Sequence, residues 1–546
     1  MYKRLTFIVL CITFPLWSTG VDFSHADWFV SPLGRSNASG KEDDPIDFAT
    51  ALSSSGPVKP GELVMLKEGV YEGRFVSTIS GTSNSPVIFY AKPGTRVTID
   101  GKNGSGDQAL HIMGEWVQFW NLEITNTSQN RTDMVDGVRF DAPNSKLINS
   151  VIHNNLQGIG FWSPAINSEL YGNIIFNNGA AGEDRGHGHA IYTQNKTGTK
   201  QIINNIIFFG YGFGIHAYTE NGDIQGFNFE RNIWFRTGAS VNGSSTLGES
   251  DGLLIGGLKP VDRAIVKENY SWVPHPNARS IRFGWGGTVV NEFIEIRDNY
   301  LVGNAVTQGQ WKNAEVEGNH FFGAVIGPEP TDFPNNSFSN RLPTDTKTVL
   351  HSNKYDPYRI DVIVYNWNND DSVPVNLETM IASGTYFTVH SVFDIWGEPV
   401  LKGKYQGEPL RLPMGIKPPP QPRGFPNAIV GDDIPGKSFE VFIVRSGDNL
   451  TSSVKKELSV NCSNTSFTVK LVRNSVLKIF NQQSSVTGNI EITIHSLSGR
   501  IVARYRTGKL PVNTSYEYRI PATIRSGMYI CTLKAGNTVY SRMFVL

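Results

Sequence analysis

The segment Asp184 to Asn195, DRGHGHAIYTQN, places an aspartate, an arginine and two histidines just before a strand-like stretch. His187 and His189 flank a glycine, so both could bind one metal ion if the chain is extended. Zinc needs a third or fourth protein ligand, and His216 could supply one. The same segment can also be a polar turn without a ligand, in which the glycines allow the backbone angles of the turn. The choice between these interpretations depends on where the fold places the segment.

Residues around this segment also fit a lyase that acts on a uronic-acid polymer. Such an enzyme needs a cation to neutralise the sugar carboxylate, a base to remove the adjacent proton, and an acid to protonate the leaving oxygen. The candidate catalytic residues are His216 or His189 as the base, Tyr192 or Tyr218 as the acid, and Arg185 or Arg282 as the cation. The candidate substrate-binding residues are Trp162, Arg139, His187, Gln194, Glu220 and Asp184.

Other chemistries remain open at this stage. A glycoside hydrolase needs two carboxylates roughly 5 to 10 Å apart, and the candidates, among which no pair stands out, are Glu183, Asp184, Glu220, Asp223, Glu249 and Asp251. A non-catalytic surface protein that binds glycans would keep the aromatic residues without needing the histidines, tyrosines and arginines. Calcium is a possible cofactor, held by Asp133, Asp136 and Asp141 or by Glu183 and Asp184.

A recurring phrase shows which elements position these residues. A turn residue, usually Asn, is followed by a short apolar strand in NSVIHNN at 149, GNIIFNN at 172, NNIIFFG at 204, RNIWFRT at 231, ENYSWVP at 268, DNYLVGN at 298 and GNHFFGA at 318. The spacing of roughly 20 to 37 residues and the lack of helical periodicity predict stacked β coils that share one core. A corner ladder is expected from asparagines, which tolerate left-handed backbone angles and can bond to the next rung: Asn173, Asn205, Asn232, Asn269, Asn299 and Asn319.

A second strand in each coil aligns as GVRFD, GIGFW, AIYTQ, GIHAY, GLLIG and SIRFG. Side chains alternate along a strand, which predicts two inward columns: Val138, Ile159, Ile191, Ile215, Leu253 and Ile281, and then Phe140, Phe161, Thr193, Ala217, Ile255 and Phe283. The outward columns are Arg139, Gly160, Tyr192, His216, Leu254 and Arg282, and then Asp141, Trp162, Gln194, Tyr218, Gly256 and Gly284. Tyr192 and His216 are therefore expected on adjacent rungs, about 4.8 Å apart. We expect glycines to leave space for a groove on this face, namely Gly158, Gly160, Gly214, Gly252 and Gly256.

The opening of the chain resembles a known group. DWFVSPLGRSNASGKEDDPIDFATAL, KPGELVMLKEGVYEG and ISGTSNSPVIFYAKPG are similar to the start of right-handed parallel β-helix proteins active on polysaccharides, including chondroitinase B and alginate lyases. The resemblance runs from Trp28 to about Asn319 and implies an all-β fold with a right-handed parallel β-helix over 27–350. It implies a polysaccharide substrate, but lyases, hydrolases and epimerases share this scaffold. The chondroitinase B group uses a Lys and Arg pair, often with calcium, and no Lys here matches residue by residue.

The pattern changes after the helix. Alternating apolar and polar residues, interrupted by KPPPQP, predict a β-sandwich over 355–446 that caps the solenoid or binds substrate. The tail over 470–546, with NIEITIHSLSGRIVARYRT and SGMYICTLKAGNTVYSRMFVL, resembles the C-terminal sorting domain of type IX secretion in Bacteroidetes. This resemblance implies the type IX secretion machinery as a partner. The alternative is a small accessory β-sandwich.

Composition and the N-terminus indicate an exported protein. The 49 basic and 49 acidic residues leave a formal net charge of zero, which gives no indication of a nucleic-acid partner. The 55 glycines and the many asparagines favour an all-β fold with many turns. Lys3 and Arg4 precede the apolar run Leu5 to Trp17 and small residues near Ala26, which predicts a cleaved signal peptide over 1–26. The apolar run is too short for a membrane span, so we expect no transmembrane segment in the mature chain.

Overall fold

The computed structural model describes residues 23, 25–92, 94–183, 185–238, 250–273, 279–307, 309–327, 330–424 and 437–447, together with eight strands between 458 and 545. The predicted signal peptide lies almost wholly outside the described residues, as do Asp184 and Glu249. The chain forms two units, Met1–Ser446 and Gly447–Leu546.

Three parallel sheets form a β-helix in the first unit, which confirms the predicted all-β class. The side sheet consists of Trp28–Val30, Leu63–Leu66, Val87–Ala91, Val117–Trp120, Lys146–Ile148, Glu169–Tyr171, Lys200–Ile203, Phe227–Glu230, Arg263–Lys267, Val290–Arg297 and Gln310–Glu317. The site sheet consists of Phe75–Ser77, Gln108–Ile112, Asp136–Phe140, Ile159–Phe161, Ile191–Thr193, Ile215–Ala217, Leu253–Ile255, Arg279–Phe283, Asn304–Thr307 and Val325–Ile326. The back sheet consists of Gly69–Glu72, Val97–Asp100, Glu123–Thr125, Val151–His153, Ile174–Phe176, Ile206–Phe208, Ile233–Phe235, Tyr270–Trp272, Tyr300–Val302, His320–Phe322 and Ser337–Ser339.

The core of the helix follows the alternation read from the sequence. The pairing Val138↔Ile159↔Ile191↔Ile215↔Leu253↔Ile281 confirms the first inward column, and all six side chains are fully buried. The second inward column is also buried along its length, with Phe140 packed edge-on against Phe161. Burying an aliphatic or aromatic side chain stabilises a fold by about 1.5 to 3 kcal/mol, so the repeated columns hold the coils in one register.

The asparagine ladder is confirmed and continues to Asn336. From Asn205 onward, each ladder amide accepts from the backbone N–H and the Nδ2 of the previous ladder residue, as Asn232 Oδ1 does at 3.0 Å from both Asn205 atoms. Its own Nδ2 donates to a carbonyl, Ile202 O at 2.7 Å for Asn232. The expected left-handed backbone falls on the preceding residue instead, for example Asn204 with φ 56° and Arg231 with φ 57°. Asparagine is therefore required for its buried amide, while the adjacent position makes the turn.

A second module packs on the back sheet. The five-stranded antiparallel sheet consists of Lys347–Ser352, Arg359–Tyr365, Phe439–Ser446, Tyr386–Ser391 and Leu401–Lys404, beside a two-stranded sheet of Ser372–Val375 and Leu410–Pro413. Four residues of its first strand, 347–350, fall within the range predicted for the helix, but the strand pairs antiparallel with Arg359–Tyr365. Both faces of Arg359–Tyr365 are buried, because one packs on the back sheet and the other on the two-stranded sheet.

The remaining elements are small. Among the described residues, a short α-helix, Phe48–Leu52, is capped by the Asp47 side chain, and 3-10 turns cover Arg131–Asp133 and Pro330–Asp332. Ala180–Ala181 and Gly186–His187 form a hairpin that leads into the site sheet. Within the described ranges, no helix has the length and apolar character needed to cross a membrane.

The second unit contains two antiparallel sheets. One consists of Leu458–Val460, Phe467–Val472, Val476–Asn481 and Ser515–Arg519, and the other of Ile501–Thr507, Ile490–Ser496, Met528–Ala535 and Thr538–Val545. The type IX sorting function of this unit stays a prediction.

Candidate active site

The outer face of the site sheet brings together the first outward column in the predicted order. Arg139, Gly160, Tyr192, His216, Leu254 and Arg282 pair rung by rung. Tyr192 and His216 are therefore direct neighbours, as the alignment predicts. Burial differs along the column: His216 and Arg282 are 8% and 7% exposed, whereas Tyr192 is half-buried.

Aromatic side chains run along this face in a continuous ribbon. The His216 ring is stacked between Tyr192, with centroids 5.0 Å apart, and Tyr218, with centroids 4.9 Å apart. Trp162 meets Tyr192 edge-on at 5.1 Å, and Trp285 meets Tyr218 edge-on at 5.5 Å. We call these five residues the aromatic ribbon. Because each ring contacts the next, the five residues offer an extended apolar and hydrogen-bonding strip.

An arginine lies over the tryptophan at each end of the ribbon. The Arg139 guanidinium is 5.5 Å from the Trp162 ring centroid, and the Arg282 guanidinium is 4.8 Å from that of Trp285. Trp285 was not among the predicted site residues, because it follows its rung in the turn GWGG, where strand alternation no longer indicates a direction. Both tryptophans are half-buried, and such cation–π contacts hold the rings in place.

A hydrogen-bond chain fixes the two histidines. The backbone N–H of Phe213 donates to His189 Nδ1 at 3.1 Å, so this nitrogen carries a lone pair. In the neutral ring the proton then lies on Nε2 of His189, which is 3.1 Å from Nδ1 of His216 and donates to it. His216 Nδ1 is consequently an acceptor, and the His216 proton is on Nε2.

Burial keeps both histidines neutral. It lowers the pKa of His189 to about 3, and the nearby charges of Arg185 and His187 act in the same direction. Burial also holds the pKa of His216 well below its usual value, aided by His189, Arg185 and Arg282. A second proton on His216 would have to sit on Nδ1, where it would oppose the N–H of His189. The geometry and the electrostatics therefore agree on a neutral pair.

The arginine at the first end of the ribbon has an acidic partner. Asp141 accepts from Arg139 Nε at 2.5 Å and lies 2.8 Å from His111 Nε2. Burial tends to raise the pKa of Asp141, but the bonds to His111 and Arg139 outweigh it and the pKa is lowered. Asp141 is thus engaged in an ion pair, which leaves it poorly placed as a calcium ligand.

The arginines at the other end share one acidic partner, Asp251. Its carboxylate is fully buried, contacts Arg279 Nε, and lies 2.8 Å from Arg282 Nε. Desolvation raises the pKa of Asp251, while Arg282 and Arg279 counteract it. Because Asp251 is committed to two arginines, it is unsuited to be one of a pair of hydrolase carboxylates, and the two arginines together keep a net positive charge.

The hairpin forms the rim of the site. Arg185 is exposed in its turn and His187 is exposed on its second strand. Gln194 Nε2 donates to Tyr218 O and to Thr219 Oγ1, each at 3.4 Å, and Glu220 is exposed on the next coil. Of the carboxylates considered for a hydrolase, Glu183 and Asp223 are likewise exposed, and Asp184 and Glu249 lie outside the described residues.

The glycines on this face do not open a groove in the expected way. A Cβ at Gly158 would lie 2.4 Å from Ala190 O, one at Gly214 2.4 Å from Gly252 O, and one at Gly252 2.0 Å from the Trp234 ring. Gly256 has φ +150° and would meet the backbone of Gly284 at 2.6 Å. These residues are glycines because neighbouring coils approach closely. Only Gly160 faces a site side chain, since its Cβ would lie 2.7 Å from the Trp162 indole nitrogen.

The metal interpretations receive no support from the described part of the chain, where no three His, Cys, Asp or Glu side chains are arranged to hold an ion. His189 uses both ring nitrogens in hydrogen bonds, which argues against the shared site with His187. Asp133 is exposed on a 3-10 turn. Burial raises the pKa of Asp136 to about 6. The positive charge of Arg139 lowers this pKa, and the negative charge of Asp107 raises it further.

Lys200 is a further residue that the sequence did not single out. Its side chain is fully buried, and Nζ lies 2.6 Å from each of three carbonyl oxygens, Phe161 O, Trp162 O and Gln194 O. Burial lowers the pKa of Lys200 well below its usual value, but three acceptors match the three N–H bonds of an ammonium group and favour its protonated form. Lys200 thus ties two rungs together behind Trp162 and Gln194.

Comparison with known proteins agrees with this fold. Residues 28–277 match the family model described as Pel9A-like, right handed beta helix region, which confirms the right-handed β-helix. Pectate lyase L of Thermoclostridium stercorarium is 28% identical over 118 residues, which are 21% of this chain and only 9% of that protein. The crystal structure of pectate lyase Pel9A is 18% identical with a TM-score of 0.40, covering 54% of this chain and 78% of that chain. The alginate lyase from Paenibacillus sp. str. FPU-7 is 18% identical with a TM-score of 0.33, covering 53% and 95%.

Proposed function

We propose that the protein is a polysaccharide lyase that cleaves a uronic-acid polymer by β-elimination on the outer face of the site sheet. The observation that carries the proposal is the aromatic ribbon, in which Tyr192, His216 and Tyr218 lie between two tryptophans. Flat rings suit stacking on sugar rings, and the hydroxyl and imidazole groups supply polar contacts along the same strip. The relative that matches over 118 residues is a pectate lyase, and its name supports the same reaction class.

The reaction requires two proton transfers. A base removes the proton from the carbon beside the carboxyl group, the bond from the next carbon to the glycosidic oxygen breaks, and a carbon–carbon double bond forms. An acid protonates the leaving oxygen. Burial raises the pKa of Tyr192 and Tyr218, so both are protonated at neutral pH and either can be the acid. We assign the base to the other tyrosine after it ionises, and therefore expect the rate to rise with pH above neutrality.

The charges around the ribbon suit an anionic sugar. Asp141 balances the charge of Arg139, whereas Arg279 and Arg282 share the single carboxylate of Asp251 and keep a net positive charge at that end. Arg185 adds a cation on the exposed rim, where it can meet a carboxylate entering the site. The neutralising role then rests on Arg185, on the net charge beside Arg282 and on the hydrogen-bond donors of the ribbon.

The test is to incubate the full-length protein with a panel of uronic-acid and neutral polysaccharides. Ultraviolet absorbance of an unsaturated uronate and the number of reducing ends are followed together. A rise in both the absorbance and the number of reducing ends supports the lyase. Tyr192→Phe or Tyr218→Phe should strongly reduce the rate at which both rise. New reducing ends without the absorbance indicate a hydrolase, and binding without turnover indicates a glycan-binding protein; either result rejects the proposal.

We also propose that the protein is exported to the cell surface or the medium, with 470–546 as a type IX sorting domain. The two antiparallel sheets of the second unit and the sequence resemblance support this assignment. Expression in a bacterium that has the type IX machinery tests it. The full chain should reach the medium or cell surface, and a chain ending at Ser446 should remain in the cell.

A further inference from the structure

We propose that His189 locks His216 as a hydrogen-bond donor, and that His216 binds the carboxylate of a uronic acid through Nε2–H instead of acting as the base. The second half of this inference rests on the lyase proposal, whereas the first half concerns only the protein. His216 would contact the substrate, and His189 would be a positioning residue that acts through it.

The direction of the hydrogen-bond chain follows from its first donor. A backbone N–H can only donate, so the 3.1 Å contact from Phe213 N makes His189 Nδ1 an acceptor. The 3.1 Å contact between His189 Nε2 and His216 Nδ1 must then run from His189 to His216. For His216 to accept a substrate proton at Nε2, its own proton would have to move to Nδ1. His189 would then have to reverse, and its proton would oppose the N–H of Phe213.

The surroundings hold this arrangement rigidly. The His189 and His216 centroids are 4.4 Å apart, and Phe213 packs on His189 at 5.2 Å and on His216 at 4.5 Å. The His216 ring also stacks with Tyr192 and with Tyr218. A ring packed in this way cannot turn over to exchange its nitrogens without displacing its neighbours.

A neutral donor suits the chemistry that this face needs. The carboxylate of a uronic acid gains negative charge as the adjacent proton is removed, and a fixed N–H aimed at it stabilises that charge without giving up its proton. A neutral imidazole with a depressed pKa is a known solution of this kind in other enzymes. The expected ligand class is therefore a sugar carboxylate, and a neutral or carboxyl-reduced polymer should lose this contact.

The first experiment needs no substrate. Protein labelled with 15N-histidine is measured by solid-state NMR, and the His216 signals are assigned by difference from His216→Gln, since the chain has 11 histidines. We expect the proton of His216 on Nε2 and a bare Nδ1 at neutral pH. A proton on Nδ1, or a doubly protonated ring, overturns the inference even if the protein is a lyase.

The second experiment separates positioning from simple packing. In His189→Gln, the amide oxygen can accept from Phe213 N–H and the amide nitrogen can donate to His216, so the polarity of the chain is kept. His189→Leu fills the space without either bond. We expect Gln to retain kcat/KM within about threefold and Leu to lose roughly tenfold or more, the worth of one hydrogen bond. Equal losses in the two variants refute the positioning role.

The same variants give a readout that packing alone would not move. Without the N–H of His189, a second proton on His216 Nδ1 is no longer opposed. The pKa of His216 should therefore rise in His189→Leu and stay low in His189→Gln. The same 15N signals measure it. Failure of His189→Leu to fold leaves the wild-type measurement decisive. If the tautomer is confirmed but no uronic-acid polymer is cleaved, the lyase proposal fails and the lock stands.

Discussion

Replacement of Lys200 by Met tests how a buried cation supports the site. Lys200 is 0% exposed, and Met keeps a side chain of similar length while it removes the charge and the three N–H donors. Three hydrogen bonds to a charged group are worth roughly 5 to 9 kcal/mol in total. Against this, the variant no longer has to bury an ammonium group, which costs several kcal/mol in the wild type. The two effects largely cancel.

The net effect is therefore set by the acceptors that lose their only donor. Phe161 O still accepts from Gln194 N–H at 3.1 Å, and Trp162 O from Ala165 N–H at 3.0 Å. Gln194 O has no second donor among the described residues. One buried carbonyl without a partner costs about 1 to 3 kcal/mol, so we expect Lys200→Met to lower the free energy of unfolding by about 2 kcal/mol. Lys200→Ala should lower the free energy of unfolding by roughly 2 to 5 kcal/mol more, because the shorter side chain leaves a cavity.

The assay is guanidinium denaturation of the full-length protein, with Lys196→Met as the control. Lys196 is exposed on the same connection and should change stability by less than about 0.5 kcal/mol. Binding of an anionic polysaccharide is measured in parallel, because Lys200 holds the backbone of Trp162 and Gln194. If Lys200→Met is as stable as wild type, the hydrogen bonds from Lys200 to the three carbonyls do not stabilise the fold. If its free energy of unfolding falls by more than about 5 kcal/mol, the hydrogen bonds and the cost of burying the ammonium group do not cancel.

Three further predictions concern the ladder, a buried acid and the ribbon. Asn232→Leu should cost roughly 4 to 6 kcal/mol in chemical denaturation, because it leaves two donors of Asn205 and one carbonyl buried without partners; a loss below 1 kcal/mol contradicts the ladder. Burial raises the pKa of Glu440 to about 7 from its ordinary 4.5. The folded state thus keeps a proton that the unfolded state releases, and this group lowers stability by up to about 3 kcal/mol as pH rises from 4.5 to 7. Glu440→Gln should remove this contribution and make the free energy of unfolding depend less steeply on pH between 4.5 and 7, and an unchanged slope rejects the assignment. Trp285→Ala should weaken polysaccharide binding about tenfold in calorimetry, whereas Trp396→Ala, in the second module, should not; equal effects argue against the ribbon.

Much of the fold could be predicted because it repeats. Alternation with a period of two assigned inward and outward columns correctly from Val138 to Phe283, and a slip by one residue would have placed polar groups such as Arg139 and His216 in the core. The recurring Asn phrase located one corner of every coil. The left-handed position was misassigned by one residue, since the sequence phrase shows that a turn exists but not which residue makes it.

The site was predicted only as a neighbourhood. Register alone placed Tyr192 beside His216, but it could not show that His189, at the entrance of the rung, turns inward to contact His216 at 3.1 Å. Nor could it show that Trp285 closes the ribbon from a turn. The prediction that these glycines leave space for a groove was wrong. The space beside most of them is occupied by backbone atoms of the neighbouring coil.

The sequence by itself determined the period, the all-β class, the inward columns and the face on which the polar and aromatic residues gather, because burial of apolar side chains and backbone pairing are repeated in every coil. Tertiary structure alone decided the partners. Lys200 reaches carbonyls at the ends of two other strands, Asp251 pairs with two arginines one coil away, and Phe213 sets the proton position on His216 through His189. These contacts depend on side-chain conformations and turn paths, which are fixed only when neighbouring coils pack together, so no local pattern in the chain records them.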